Sequence, residues 1–236
     1  MLMRTSVQIE GSKAPTAKLL PSKNSRPSGF SASGALGEAL AMMGAVMPFV
    51  RNVEIYGEGE PADYLYKVVE GAVRTHKLLN DGRRQIGGFY LPGDVFGLEL
   101  DGDHRLTAEA ICDSKIIVIQ RSAIVALAAR QSDVAHELWA MTARELANVQ
   151  NLMLTLGRKT AQERVAAFLL EMAGRGRGAN EVELPMSRQD IADYLGLTIE
   201  TVSRTLTQLE SASAIELPSS RRIVLSNRSA LNRLNS

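Results

Sequence analysis

SRQDIADYLGLTIETVSRTLTQL (residues 187–209) determines how the C-terminal third of this chain folds. Ser187 is followed three places later by Asp190, a spacing typical of a capping box, so we expect a helix to begin here. Gly196 can adopt the left-handed conformation that a tight corner between two helices requires, and Thr198 can cap the second helix. The buried sides of both helices are predicted to carry Ile191, Ala192, Leu195, Val202, Leu206 and Leu209. The stretch therefore predicts a helix-turn-helix.

Polar side chains occupy the solvent side of the second helix at helical spacing. Glu200, Ser203 and Arg204 project together from its N-terminal half, with Ile199 beside them. In helix-turn-helix docking this half enters the major groove, where a carboxylate can accept from cytosine N4 and an arginine can donate to guanine O6 and N7. These four residues are predicted to read DNA bases. The alternative is that Glu200 and Arg204 form a surface ion pair, worth only about 0.3–0.5 kcal/mol.

The residues after the second helix indicate a wing. IELPSSRRIVL (residues 215–225) predicts two short strands around residues 218–220, so the motif is a winged helix-turn-helix. Polar and basic side chains around it are candidates for contacts with DNA phosphates, which add affinity and salt dependence but no specificity. These backbone-contact candidates are Thr198, Arg188, Gln208, Arg221 and Arg222.

Residues 52–120 have the pattern of an antiparallel β-structure. Alternating runs predict strands at 53–56, 64–69, 72–79, 84–90 and 116–119, separated by turns rich in Gly and Asp. Asn80-Asp81-Gly82 is a strong hairpin signal. Strands at this short spacing predict a β-roll or barrel. The apolar run at residues 34–50 is instead expected to be helical.

A long helix is predicted from Ser132 to Leu156, which contains no Pro or Gly, with Gly157 at its end. A heptad seam with three-four alternation runs along it through Trp139, Thr142, Leu146, Val149, Met153 and Leu156. Such a seam predicts pairing with the same helix of a second copy. An ordinary amphipathic helix packed on its own chain is the alternative.

Charge and composition suggest how the chain divides. Its net charge of +1 conceals an asymmetry, because residues 1–30 carry five Lys/Arg against one Glu, whereas residues 31–157 carry eleven basic and sixteen acidic residues. The first segment is rich in Ser, Pro and Lys and is predicted to be a disordered basic tail. We expect a sensor-like β-roll domain at 31–130, a dimerisation helix at 131–157 and the winged helix-turn-helix at 158–236. The fold class is α+β.

Several function classes find no support in the sequence. No nucleophile–base string, phosphate loop or metal-ligand motif occurs, so neither an enzyme nor a metal site is expected. No apolar run is long enough for a membrane span, and Cys112 is the single cysteine, which suits the reducing cytoplasm. Cys112 itself is expected to be a buried structural thiol, with a redox switch as the alternative.

The order of these parts resembles the CRP/FNR family of bacterial transcription regulators over roughly residues 36–230. The roll string PGDVFG (residues 92–97) carries part of the resemblance, and the string ETVSR (residues 200–204) is similar to that of the FNR and FixK branches. The resemblance implies a homodimer, double-stranded DNA with TTGA-type palindromes, and RNA polymerase as partners. It also implies that Glu200, Ser203 and Arg204 read the half-site and that Ile199 touches a thymine methyl.

Departures from the family pattern bear on the ligand. Cyclic-AMP receptors hold the cyclic phosphate with a Gly-Glu step and an Arg-Ser-Ala step, but here Gly97 precedes Leu98 and the later place reads Gly102-Asp103-His104. The four cysteines that hold the FNR iron–sulfur cluster are absent. The remaining match is the cluster-less FixK type, whose members activate genes of microaerobic respiration and nitrogen fixation, so no cofactor is expected. A cyclic-AMP-responsive regulator, or a repressor on the same sites, is the alternative. The histidines form no haem motif: His76, His104 and His136.

Overall fold

A computed structural model describes residues 34–99, 102–176 and 180–235 of the chain. The predicted basic tail at residues 1–30 lies outside the described residues. The elements in chain order are α1 (Gly34–Met43), β1 (Ala45–Phe49), β2 (Glu54–Tyr56), β3 (Tyr64–Glu70), β4 (Val73–Leu78), β5 (Arg84–Tyr90), β6 (Val95–Phe96), β7 (Thr107–Ala110), β8 (Ser114–Gln120), α2 (Arg121–Ala128), α3 (Ser132–Arg158), α4 (Ala161–Arg175), β9 (Glu181–Glu183), α5 (Arg188–Leu195), α6 (Ile199–Ser211), β10 (Arg222–Val224) and α7 (Arg228–Asn235). The α+β class, with a roll first and a helix-turn-helix last, is confirmed.

Two four-stranded antiparallel sheets form the roll. One has the strand order β1-β8-β3-β6 and the other β2-β7-β4-β5. The predicted hairpin joins β4 and β5, and Gly82 in its turn has a φ of +83° that a residue with a side chain rarely adopts. The Asp81 carboxylate accepts from the Arg83 backbone N–H at 3.1 Å. The Asn-Asp-Gly signal therefore predicted this turn correctly.

The prediction of a single helix across residues 34–50 is wrong in its second half. α1 ends at Met43, and Ala45–Phe49 forms the edge strand β1, which pairs with β8. Pro48 lies inside this strand, where an edge position tolerates a residue without a backbone N–H. The apolar run did not distinguish a helix from a strand, but Pro48 was a signal against the helix. The strands β6, β7 and β9, of two to four residues, were also missed.

α3 is 27 residues long and does not end at Gly157 as predicted. Gly157 lies within the helix with open space beside it, so no turn requires a glycine there. The helix ends where Lys159 becomes extended, with φ −91° and ψ 145°. Thr160 immediately caps α4 through a complete capping box with Glu163. Only Lys159 and Thr160 therefore separate α3 from α4.

One side of α3 packs on the roll. Val134 and Met141 are buried there in a cluster that includes apolar residues of α1, β3 and β8, and Leu138 packs against it. The Glu137 carboxylate accepts hydrogen bonds from the first backbone N–H groups of α1 at 3.1 and 3.0 Å. These contacts fasten α3 to the roll.

The apolar core of the C-terminal unit continues into the roll. Phe89 of β5 contacts Phe168 of α4 and Tyr194 of α5, with ring centroids 6.2 and 5.2 Å apart. Arg175, at the end of α4, donates to the Phe89 carbonyl at 2.8 Å and pairs with the buried Asp94. A single buried cluster thus contains residues of both units.

Candidate nucleic-acid interface

The helix-turn-helix has the predicted architecture. The Ser187 hydroxyl accepts from the Asp190 backbone N–H at 3.1 Å, and the Asp190 carboxylate accepts from the Ser187 N–H at 2.9 Å. Gly196 has the left-handed φ of +61° at the corner, and Thr198 caps α6 by accepting a first-turn N–H at 3.2 Å. The predicted apolar positions are all buried: Ile191, Ala192, Leu195, Val202, Leu206 and Leu209. Caps, corner and core together fix α6 relative to α5.

Three of the four predicted base readers are exposed on α6: Ile199, Glu200 and Arg204. Hydrogen bonds from its own backbone N–H and from the N-cap hydroxyl hold the pKa of the Glu200 carboxyl below its usual range. Glu200 is therefore a carboxylate at neutral pH. Within the described residues no ion pair joins Glu200 to Arg204, so the alternative of a surface ion pair finds no support in the geometry.

Ser203, the fourth predicted reader, has a partner inside the motif. It is half-buried, and its hydroxyl accepts a hydrogen bond from Arg188 Nη1 at 3.3 Å. Arg188, a predicted phosphate contact, therefore links the start of α5 to the exposed side of α6. Thr198, another predicted phosphate contact, has its hydroxyl engaged as the N-cap of α6.

The wing is shorter than predicted. β10 pairs with β9, a strand that the sequence did not reveal, whereas the first arm is a single bridge between Glu216 and Val224 with hydrogen bonds of 2.8 and 2.9 Å. Pro218 near the tip cannot donate a ladder hydrogen bond, which limits the first arm. The two arginines of the wing, both predicted phosphate contacts, differ in their partners. Arg221 is exposed, whereas Arg222 pairs with Glu181, and this pairing raises the pKa of Arg222.

Gln208, the last predicted phosphate contact, is exposed toward the C-terminal end of α6. It lies one helical turn beyond Arg204 on the same side of the helix. The helix thus presents Glu200, Arg204 and Gln208 in one row. A row of this kind can follow a groove along its base edges and then meet the sugar-phosphate backbone.

The predicted seam of α3 is largely uncovered in a single chain. Its large apolar members are between 53 and 76 % exposed: Trp139, Leu146, Val149 and Met153. Thr142 is also exposed, and its hydroxyl donates to a carbonyl of its own helix at 3.0 Å. Leu156 differs, because it is half-buried and its Cδ2 would lie 3.6 Å from a Cβ placed on Gly196. A row of exposed apolar side chains at this spacing is typical of a protein contact.

A cavity of about 350 Å³ lies between the roll and α3. Aromatic and aliphatic side chains line most of it, and its charged groups are the carboxyls of Glu99 and Glu145. Burial raises the pKa of Glu145 to about 7, and the Tyr90 hydroxyl lies 3.5 Å from its Oε1. Among the described lining residues there is no Lys or Arg, so the cavity does not complement a cyclic phosphate.

Other binding chemistries find little in the described parts of the chain. Cys112 is half-buried against the cluster that joins the two units. His76 and His104 are buried in the roll and His136 is exposed on α3. Among the described residues, no group of three or more His, Cys, Asp or Glu side chains is arranged to hold a metal ion. No described helix has the length and apolar character needed to cross a membrane.

Arg164 has a role that sequence patterns did not reveal. Its guanidinium donates to the carbonyls of Leu156 in α3 at 2.8 Å, Lys159 in the junction at 2.9 Å and Leu195 in α5 at 2.9 Å. A guanidinium presents several donors in one rigid fork, which suits three carbonyls from different elements. No local motif signals this contact, because its partners come together only in the folded chain.

Comparison with known proteins agrees with this geometry. Residues 163–234 match the family model of the Crp-like helix-turn-helix domain, and residues 46–131 match that of the cyclic nucleotide-binding domain. A β-roll joined to an exposed recognition helix of this kind defines a DNA-binding transcription regulator. The chain belongs to the CRP/FNR family, as its sequence motifs indicated.

The relatives include FixK proteins. The nitrogen fixation regulation protein FixK of Azorhizobium caulinodans is 51% identical over 204 residues, which cover 84% of this chain and 82% of that protein. FixK of Rhizobium meliloti is 44% identical over 181 residues, covering 77% of this chain and 82% of the relative. The structure of FixK2 from Bradyrhizobium japonicum superimposes with a TM-score of 0.79 at 54% identity, covering 82% of this chain and 98% of that one.

Proposed function

We propose that this regulator acts in the cytoplasm as a homodimer that binds TTGA-type palindromes in double-stranded DNA. As an activator it would engage RNA polymerase at genes of microaerobic respiration and nitrogen fixation, in keeping with the printed names of its FixK relatives. The observation that carries the proposal is the exposed row on α6, where Glu200 and Arg204 have no ion pair with each other in the described chain.

Dimerisation through α3 supports two-fold binding. The exposed seam residues lie on the helix that ends two residues before the DNA-reading unit, so pairing of two seams would present two recognition helices together. Paired half-sites about one helical turn apart match such an arrangement. The acidic lining of the roll cavity favours a regulator that does not respond to cyclic AMP.

The direct test replaces Arg204 with Ala and measures binding to the palindrome and to a scrambled site. Loss of the guanidinium should cost about 1–3 kcal/mol of discrimination per half-site. The charge-matched control is Arg221→Ala, which should weaken binding to both DNAs equally and reduce the salt slope by about 1. Sedimentation should find both variants dimeric. An Arg204→Ala protein that still discriminates like the wild type would show that α6 reads the site through other residues.

A further inference from the structure

We propose that the carboxylate of Asp190, gripped by Arg74 and Arg84 of the roll, positions the recognition helices in the dimer and so sets the distance between half-sites that the protein accepts. This inference rests on the proposed two-fold binding of a palindrome. It assigns positioning roles to residues that do not belong to the predicted DNA contacts.

The two oxygens of Asp190 serve different parts of the molecule. Oδ2 accepts from the Ser187 N–H at 2.9 Å and from the Ser187 hydroxyl at 2.7 Å, which caps α5. Oδ1 accepts from Arg74 Nη1 at 2.9 Å and from Arg84 Nη2 at 2.6 Å, which joins α5 to the roll. A carboxylate has about four acceptor positions, so this one is saturated. Its side chain is 4 % exposed.

The two arginines are held in turn by other carboxylates. Arg74 of β4 pairs with Glu109 of β7 at 2.6 Å, and Arg84 of β5 pairs with Asp193 of α5 at 2.8 Å. Charged hydrogen bonds of this kind are directional, and a guanidinium fork satisfies them only in a narrow set of orientations. The cluster of Arg74, Arg84, Glu109, Asp190 and Asp193, which we call the docking cluster, therefore favours one placement of α5 against the sheet.

The covalent link between the units is short, and the docking cluster acts together with the hydrogen bonds of Arg164 to carbonyls of α3, the junction and α5. α3 is fastened to the roll, and only Lys159 and Thr160 connect it to α4. Rotation about those backbone bonds would swing α5 and α6 together relative to the seam, since the two helices share a core. The docking cluster at the start of α5, with Phe89 against Tyr194 farther along it, opposes that swing.

If the angle between the helix-turn-helix and α3 is fixed, the distance between the two half-sites that the dimer can bind is fixed as well. Moving one half-site by one base pair shifts it by about 3.4 Å and turns it by roughly a tenth of a revolution around the duplex. A dimer with rigidly placed recognition helices binds one spacing well. A dimer with loosened units tolerates neighbouring spacings, while each unit still reads the same bases.

The test varies Arg84, because Asp190 also caps α5 and its loss could unfold the motif. The variants are Arg84→Gln and Arg84→Glu. The control is Lys77→Gln. It removes a positive charge from the same sheet, but at a residue whose partner, Glu58, belongs to the roll and not to α5. Binding is measured on palindromes with identical half-sites whose central spacer is lengthened or shortened by one base pair, and on a scrambled site.

We expect the wild type and Lys77→Gln to lose roughly tenfold or more in affinity for each one-base-pair change, comparable to a base mismatch. For the same change in spacer length, Arg84→Gln should lose only about threefold in affinity or less. Arg84→Glu should show the weakest dependence of affinity on spacer length. Discrimination against the scrambled site should be unchanged in all variants.

Several results would overturn the inference. If Arg84→Gln or Arg84→Glu weakens binding equally at every spacing, the docking cluster contributes stability alone. If all proteins share one profile, the cluster does not set the spacing. A wild type that does not distinguish the palindrome from the scrambled site would instead contradict the proposed function.

Discussion

Glu145 is a residue at which the cavity meets the predicted dimerisation helix. Its carboxyl group lies on α3 beside the cavity, and its neighbours Leu146 and Val149 belong to both the cavity wall and the predicted seam. Burial raises its pKa to about 7, the hydrogen bond from Tyr90 opposes the rise, and the charge of Asp94 adds to it. Near neutral pH this carboxyl is therefore partly protonated, whereas an exposed glutamate is ionised.

Replacing Glu145 with Gln should stabilise the protein at high pH. The ordinary pKa of Glu is about 4.3, so between that value and about 7 the folded state binds more protons than the unfolded state. Stability therefore falls as the pH rises through this window and levels off above it. Glu145→Gln should gain on the order of 2 kcal/mol over the wild type at about pH 8 and much less at about pH 5. Urea unfolding measures both; an equal gain at the two pH values would refute the assignment.

Residue-level prediction succeeded where neighbours in sequence determine the role. Ser187, Asp190, Gly196 and Thr198 act through hydrogen bonds and dihedral angles within a few residues, and the structure agrees with the sequence there. The same carboxylate of Asp190 also binds Arg74, 116 positions away. No periodicity or spacing contains that contact, because it exists only after the roll and the helix pair have docked.

At the level of elements, length decided which predictions held. α3 and the strands β3, β4 and β5 carry enough residues for their periodicity to be recognised. β1 was mistaken for helix because its strand structure depends on backbone pairing with β8, which the local pattern of apolar residues does not show. Two- and three-residue strands such as β6 and β9 are defined almost entirely by their partners.

The seam prediction is tested at this scale by Val149→Glu. In a paired seam two glutamates would meet in an apolar contact, so the variant should be monomeric at concentrations where the wild type is dimeric. DNA affinity should fall by roughly a hundredfold or more, because the second half-site contact is lost. Ala147→Glu is the matched control, since Ala147 is exposed on α3 away from the seam. Sedimentation that finds Val149→Glu dimeric would reassign the dimer contact.

The whole molecule behaves as one packed body in its buried interior. The cluster that contains Phe89 and Ile86 of the roll also contains Phe168 of α4 and Ile191 of α5. Sequence patterns predicted a β-roll domain, a dimerisation helix and a winged helix-turn-helix, and they were silent on how these parts touch. The contact surface combines side chains of β5 with those of α4 and α5, which lie far from β5 in the sequence, so only the fold reveals it.

Phe89→Ala tests this continuity. Replacing a buried Phe with Ala lowers the free energy of unfolding by about 3–5 kcal/mol. We expect amide hydrogen exchange to become faster in α5 as well as in β5. Leu78→Ala is the control on the same sheet, since Leu78 is 63 % exposed; its effect should stay within about 0.5 kcal/mol. Exchange that quickens in the roll while α5 keeps its protection would mean that the two units unfold independently.

The two-residue junction after α3 restricts where residues can be inserted into or deleted from this chain. Each residue inserted into or deleted from α3 between the seam and Lys159 would turn the chain at the junction by about 100° and displace it by about 1.5 Å relative to the seam, so the contacts that dock α5 on the roll could not form in their present geometry. The recognition helix would then face away from the duplex while every one of its side chains remained intact. Insertions in the 80–82 turn carry no such penalty, because that loop leads back into the same sheet. The number of residues in α3 thereby determines the rotational orientation of the recognition helices, and with it which operators the dimer can bind.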